Sequence, residues 1–258
     1  MKFGIVVSKQ DEAGMNIARH LDGLEIDYVV VDEQTIYEDN LEKRDELRDV
    51  DFVIFATKHE AEKETKTFSV HAPGNFGKAE LGGKEGEICL TSCLFMKHVF
   101  KILNGEKEKA GLDYEISMEA THHGPIIEKQ CLFIEIGSTE KQWNDSRAGE
   151  LIAKVIQKAI SEKPKDAESV LCIGGPHYCP NFNKIQLNSN YAVGHVIAQY
   201  NFPVTREMIE EGLKKTSEDI KKVVIDWKGC GKSEERQKLI DLLDEFGLEV
   251  LRSDKIDK

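Results

Sequence analysis

The chain has 258 residues, 40% of them hydrophobic, and a formal net charge of −12. That is enough for one large α/β domain with a real core, and the acidic balance argues against nonspecific nucleic-acid binding through the whole-protein field. No run approaches a membrane span, the apolar part of Met1 to Ser8 is too short for a signal peptide, and a cytosolic protein is expected.

In chain order, residues 3–7 read as a buried strand, 13–21 as a short helix and 28–31 as a second strand. Residues 41–47 read as a polar helix and 52–56 as a third strand. This βαβαβ rhythm, with nearly continuous apolar strands, predicts a mixed, largely parallel sheet flanked by helices. No G-x-G-x-x-G follows the first strand, so a dinucleotide cofactor has no support. Residues 57–87 are rich in Lys, Glu and Gly and read as a Gly-rich inserted loop region of a single α/β domain, 1–258, with a short strand at 67–71. Loops of that length in compact domains are usually functional or disordered, and His71 favours function.

An apolar helix is expected over 90–103, strands over 113–118 and 131–136, and a helix over 146–161 with Asp145 as its N-cap. Strands are expected at 170–173, 193–198, 223–227 and 248–251, with helices at 205–215 and 233–246. The six cysteines form no C-x-x-C pair and read as buried free thiols.

The densest chemistry lies in Glu119 to Pro125, EATHHGP: a carboxylate, a hydroxyl and two imidazoles at a strand end before a Gly-Pro turn. Two further loops carry a His after an apolar segment, His71 in VHAPGN and His177 in CIGGPHYCP. Loops at the C-terminal ends of parallel strands are where α/β proteins place their sites, so one shared polar site is expected. Glu119 and Glu135 are strand carboxylates that could meet the same crevice. Neutral imidazoles with a carboxylate suit Zn²⁺, whose open fourth position can activate water. Adjacent strand residues point to opposite faces, so His122 and His123 both face one site only through a bend, which Gly124-Pro125 allows. The backbone of Gly174-Gly175 could offer N–H donors to an oxyanion. His20, His59 and His98 lack companion groups and receive no role, while His195 reads as structural. A serine nucleophile is disfavoured, because no G-x-S-x-G context exists.

Together the segments Val70 to Phe76, Glu119 to Pro125, Glu135 to Glu140 with Trp143, Gly174 to Tyr178 with Pro180, and Asp226 to Gly229 resemble the archaeal and plant type of D-aminoacyl-tRNA deacylase. The start, VVSK followed by Asp11, Gly14, Met15 and Asn16, is similar too, so the resemblance covers essentially the whole chain. It implies a fold related to peptidyl-tRNA hydrolase and phosphorylase-like proteins. It also implies a zinc-dependent, monomeric, cytosolic hydrolase that cleaves the ester between a D-amino acid and tRNA. Carried over, the resemblance implies His122, His123, Glu119 and Thr121 for the chemistry. It also covers Asn75, Gly174, Gly175 and Tyr178, expected with Lys228 to meet substrate, and His71, His177 and Glu135, expected with His123 to hold metal, though the resemblance does not settle which residues bind it. It leaves open which of His122 and His123 holds the metal. One departure is Asn181, where the family often has a basic residue. Two rival readings are a metal-dependent hydrolase or phosphorylase of a small nucleoside- or peptide-like substrate, and a non-catalytic tRNA- or metal-binding module.

A chain this acidic must hold tRNA through a local patch, with Lys58, Lys78, Lys84 and Lys228 as candidates. Affinity for tRNA is therefore expected to fall as salt rises, because released counterions drive such contacts. Unchanged affinity after charge reversal at these four positions removes them from the tRNA surface.

Overall fold

The apolar run from Phe52 does not stop at Ala56. It continues through Thr57, Lys58 and His59, giving a nine-residue strand at the middle of a six-stranded sheet. The structure is a computed structural model, and residues 1–256 are described. The first half of the chain runs β1 (Phe3–Ser8), α1 (Glu12–Gly23), β2 (Val29–Val31), β3 (Phe52–Glu60) and β4 (Thr67–His71). Next come α2 (Cys93–Ala110), β5 (Glu115–Met118), β6 (Gln130–Ser138), α3 (Glu140–Trp143) and α4 (Ser146–Ser161). The second half runs β7 (Glu168–Ile173), α5 (Pro180–Asn188), β8 (Tyr191–Ile197), α6 (Arg206–Lys214), β9 (Lys222–Ile225), α7 (Ser233–Glu245) and β10 (Glu249–Arg252).

The strands form two sheets rather than one. The first has the order β2-β1-β3-β6-β4-β5, and the second β10-β9-β7-β8. Every neighbouring pair is parallel except β4 with β6. The mixed, largely parallel α/β architecture is the one expected from the strand pattern.

Alternation of side chains sorts the first sheet into two faces. Ile54, Ala56, Phe68, Val70, Ile134 and Ile136 pack with buried residues of α1, α2 and α4 in one apolar core. The opposite face begins apolar, with Val6, Phe55 and Phe133, and turns polar at Thr57, Ser69, His71 and Glu135. In the second sheet, Val170, Cys172, Val196 and Val224 share the first core, while Leu171, Ile173 and Ile225 pack with Ile209 of α6 and Leu239 and Leu243 of α7.

Local signals explain most elements. Asp145 caps α4 by accepting from the Arg147 N–H at 3.0 Å, and the helix buries Ala148, Leu151, Ile152, Val155, Ile156 and Ala159 as its spacing predicts. All six cysteines are free and buried. The expected helix over 41–47 is instead two 3₁₀ turns, because Arg44 between them is extended at ψ 142°. Helix α5 went unread: it opens on Pro180 directly after Cys179, which sits at φ 49°. The 57–87 region is partly sheet, since β3 and β4 claim its first part.

The N-terminal residues brace the centre. Asp11 caps α1 by accepting from Gly14 N–H at 2.7 Å, and its other oxygen accepts from Lys58 N–H at 2.9 Å. A Cβ on Gly14 would lie 2.8 Å from the Ala56 carbonyl oxygen, so α1 approaches β3 this closely only with glycine there. The buried Asn16 amide donates to Trp143 O at 2.9 Å and Asp145 O at 2.8 Å, joining α1 to α3 and α4. Asn16→Ala is expected to cost about 2 kcal/mol by leaving these carbonyls unpaired. That corresponds to a fall of roughly 4–8 °C in calorimetric midpoint for a chain of this size.

Candidate active site

Strand register builds the floor of the site. Glu135 on β6 lies opposite Thr57 on β3 and Ser69 on β4. Both hydroxyls donate to it, Thr57 Oγ1 to Oε1 at 3.0 Å and Ser69 Oγ to Oε2 at 3.1 Å. His59 and His71 stand two residues further along the same faces of their strands. His59 Nδ1 lies 3.6 Å from Glu135 Oε2, and His71 Nε2 lies 3.7 Å from Oε1. Because β4 runs antiparallel to β6, His71 arrives opposite Phe133, over the sheet face, rather than at the strand end that carries His59.

The EATHHGP loop forms one wall. The parallel pairing of β4 and β5 continues beyond the strands: Glu119 N–H donates to Val70 O at 3.1 Å, and Gly74 N–H to His123 O at 2.7 Å. Glu119 therefore sits beside His71's strand with its carboxylate inside the protein. The bend that brings both histidines inward is at His123 itself, whose φ is 45°. Gly124 completes it. A Cβ there would lie 2.3 Å from both Gly83 N and Ile36 O, so no larger residue fits. The His122 and His123 ring centroids are 4.3 Å apart, and those of His71 lie 4.3 Å from His122 and 4.8 Å from His123.

The second sheet delivers the other wall. Ala120 N–H donates to His177 O at 2.8 Å and Thr121 N–H to Val196 O at 3.1 Å, tying the loop to the turn after β7 and to β8. His177 Nε2 then lies 3.0 Å from Glu119 Oε2, and its Nδ1 lies 3.3 Å from the Tyr200 hydroxyl.

Three imidazoles share one tautomeric constraint. Nδ1 of His71, His122 and His123 contacts the backbone carbonyls of Ala72 at 3.2 Å, Ala120 at 2.9 Å and Gly124 at 2.6 Å, respectively. A carbonyl only accepts, so each Nδ1 carries a proton and each neutral ring keeps its lone pair on Nε2. One nitrogen from each of the three rings falls within a 4.8 Å cluster, and His71 Nε2 is buried with no hydrogen-bond partner.

Electrostatics divide the cluster. Glu119 is 1% exposed and Glu135 3%. Burial alone would raise both carboxyls. The His177 hydrogen bond and the His59 charge hold Glu119 down at about 2. Contacts from His59 and His71 keep Glu135 well below the usual carboxylate range. Burial opposes a charge on His59, yet Glu135 and Glu119 together lift it to about 9. It therefore stands as a cation between two anions. His123 is pushed down to about 4 by burial and by the His71 charge, and His122 falls well below its ordinary value for the same reasons plus His123.

Above the histidines opens a cleft of about 620 Å³, within the range of ligand sites. Thr121, His122, His123 and His177 line its base, with Asn75, Phe76, Lys78, Leu81, Tyr200, Asn201 and Phe202 around them.

A family model described as D-aminoacyl-tRNA deacylase matches residues 46–251. A D-aminoacyl-tRNA deacylase from Pyrococcus furiosus is 34% identical over 271 residues, covering 96% of this chain and 98% of the relative. The chain belongs to the D-aminoacyl-tRNA deacylase family. A deacylase of the same name from Archaeoglobus fulgidus is 32% identical, with 98% and 97% of the two chains covered. A crystal structure of a conserved protein of unknown function matches with a TM-score of 0.91 at 30% identity, covering 99% of this chain and 96% of that one.

Within this deacylase fold, the residues singled out from the sequence are distributed unevenly. His71, Glu119, His122, His123, Glu135 and His177 come together. Three sets of candidate ligand atoms lie within 4.8 Å of one another: His71, His122 and His123; Glu119, His122 and His177; and His59, Glu119 and Glu135. Glu135 already accepts from two hydroxyls, and His122 Nε2 lies 3.5 Å from Glu119 Oε2. Thr121 is committed elsewhere. His195 Nε2 donates to Lys215 O at 3.1 Å, so its Nδ1 accepts the Thr121 hydroxyl proton at 3.1 Å, and Thr121 Oγ1 accepts from Val196 N–H. Its hydroxyl fixes the loop and has no hydrogen left for the cleft. His195 is structural, as its strand context suggests.

Asn75 lines the cleft and donates to Gly82 O at 3.0 Å. Gly174 and Gly175 do not line it. Gly174 N–H is used on Ile197 O at 2.7 Å, and both glycines pack against the Asp226 to Cys230 turn. Tyr178 turns its hydroxyl to His59 Nε2 at 3.1 Å, beside a separate cavity of about 350 Å³. Lys228 is exposed, outside the cleft's lining. Lys58 lies over the Trp143 ring and pairs with Glu60, and Lys84 pairs with Glu87, which leaves Lys78 as the one of the four candidate lysines in the cleft. Asn181 donates to Asp226 at 3.0 Å.

His59 is the residue that sequence reasoning missed. Its signal was the strand itself: extending β3 three residues past Ala56 puts His59 on the same face as Thr57. Trp143 Nε1–H donates to His59 O at 2.9 Å, which explains why Trp143 belongs with the site's motifs.

Proposed function

We propose that this chain hydrolyses the ester bond of D-aminoacyl-tRNA, releasing free D-amino acid and tRNA, in the cleft above the histidines. The clustering of one ring nitrogen each from His71, His122 and His123, with His122, His123 and His177 lining the cleft and Glu119 buried against His177, carries this reading. Family membership and the relatives' shared name support it.

The reading includes a zinc ion. Once His71 gives up its proton, three imidazoles whose Nδ1 atoms are fixed by carbonyls, one of them with an orphaned buried Nε2, fit a cation that prefers nitrogen ligands and keeps a position open. His71, His122 and His123 would hold it, where it would supply Lewis acidity and lower the pKa of water to about 7. Glu135 sits behind these rings as a buried counter-charge. Protons and metal compete for the same Nε2 atoms, so loading is favoured as pH rises.

His177 handles the proton. Its Nε2–H points to Glu119, which leaves Nδ1 directed at the cleft beside the Tyr200 hydroxyl. The base takes a proton from the attacking water and returns it to the ribose oxygen that leaves. Glu119, anchored by His59, keeps the imidazole oriented and stabilises its charged form. An ester needs little help with its leaving group, so one base suffices. The reading also places the enzyme in the cytosol as a monomer. Free buried thiols suit a reducing compartment, and no helix among the described residues is long and apolar enough to cross a membrane.

Two outcomes are expected. Chelation abolishes cleavage of D-aminoacyl-tRNA and added zinc restores it, while L-aminoacyl-tRNA is spared throughout. His71→Ala, His122→Ala and His123→Ala each lose bound zinc by mass spectrometry. His177→Ala keeps the metal and lowers kcat by about 10²–10⁴-fold, the usual contribution of a positioned base. Full activity in all four variants ends the proposal.

A further inference from the structure

Large apolar side chains exposed on this protein are few, and they are not scattered. Among the described residues there are five: Met1, Tyr37, Leu81, Tyr178 and Tyr200. Leu81 and Tyr200 line the cleft, 53% and 55% exposed. Tyr37, also 55% exposed, stands beside the Leu81–Gly82 turn: its ring edge is 3.2 Å from where a Cβ on Gly82 would lie, one residue beyond Leu81. The backbone holds it there, because Ile36 O abuts both Gly82 and Gly124. Tyr200 is seated over the other wall, its hydroxyl 3.3 Å from His177 Nδ1. Phe76 and Phe202 continue the apolar lining inward.

Aromatic rings kept in water at the mouth of a polar site lose the benefit of burial unless a partner covers them. The cleft's own charge does not suit a partner held by phosphates alone, since Lys78 in its lining is accompanied by Glu80. The partner favoured by flat, rigid, weakly charged surfaces is an unpaired nucleobase, which stacks on tyrosine irrespective of sequence.

We infer that Tyr37 and Tyr200 form a stacking platform for the unpaired bases at the 3′ end of the tRNA, guiding the ester to the histidines. This rests on the proposed function and adds how the RNA is held. It also explains how one acidic protein can serve many tRNAs: stacking reads no sequence, and few phosphates need to be touched.

The test is steady-state cleavage of D-tyrosyl-tRNA and D-alanyl-tRNA by Tyr37→Leu, Tyr200→Leu, Tyr37→Phe and Tyr200→Phe. Stacking on one base corresponds to roughly five- to 150-fold in affinity. Each leucine variant is therefore expected to raise KM by about tenfold on both esters, and each phenylalanine variant to restore it. Any effect of the lost Tyr200 hydroxyl on His177 falls on kcat, equally in Tyr200→Phe and Tyr200→Leu. Unchanged KM in the leucine variants overturns the platform. So does a rise confined to the D-tyrosyl ester, which would show that the rings hold the amino-acid side chain instead. If the wild-type protein cleaves neither ester, it is the proposed function that fails.

Discussion

Two ionised carboxylates buried side by side dominate this structure. Glu119 and Glu135 are almost wholly removed from water, and an unpaired buried charge costs several kcal/mol. Each is met by imidazoles: His59 lies 3.1 Å from Glu119 and 3.6 Å from Glu135, His177 lies 3.0 Å from Glu119, and His71 lies 3.7 Å from Glu135. Thr57 and Ser69 add neutral donors to Glu135. Much of the surrounding architecture serves to hold these partners. The β3–β6–β4 register aligns Thr57, Glu135 and Ser69, the N-terminal turn grips Lys58, and Trp143 grips the His59 carbonyl.

The same arrangement explains why the site lies where two sheets meet. Carboxylates on β6 and after β5 need bases from more than one direction. The first sheet provides His59 and His71, and the second provides His177 through the turn after β7. The EATHHGP loop lies between them, pinned to β8 by Thr121 and turned inward at His123. A left-handed residue inside a metal-ligand-like pair is strained backbone, and such strain concentrates where function requires a fixed geometry. Gly124 permits the turn by leaving room for the Gly82–Gly83 segment, which in turn supports Tyr37 at the cleft mouth.

Much of this was legible in the residues. Strand alternation and continuous apolar runs locate most of the strands, and the three His-bearing loops do converge. What escaped depends on long-range geometry. The antiparallel entry of β4 has no local signature, so His71 was expected at a strand end rather than over the sheet. His59 follows a lysine in a polar stretch, and only the partner strand β6 shows that β3 continues that far. Gly174 and Gly175 look like donors to a ligand, but their conformations serve close packing against Asp226 and Cys230. Thr121 looks like a catalytic hydroxyl until the His195 tautomer is worked out, nearly 75 residues away in sequence. Exposed tyrosines carry no periodic signal at all.

The central claim is that the ester is cleaved where His71, His122 and His123 converge beneath the Glu119–His177 pair. The most direct measurement is a crystal structure of the zinc-loaded protein with a non-hydrolysable amide analogue of 3′-D-aminoacyl-adenosine. The account predicts the acyl carbon at the base of the cleft, facing His177 Nδ1, with the D side chain within the cleft walls. An analogue bound elsewhere, such as the cavity of about 480 Å³ beside Lys97 and His98, with the histidine cleft empty, would contradict it.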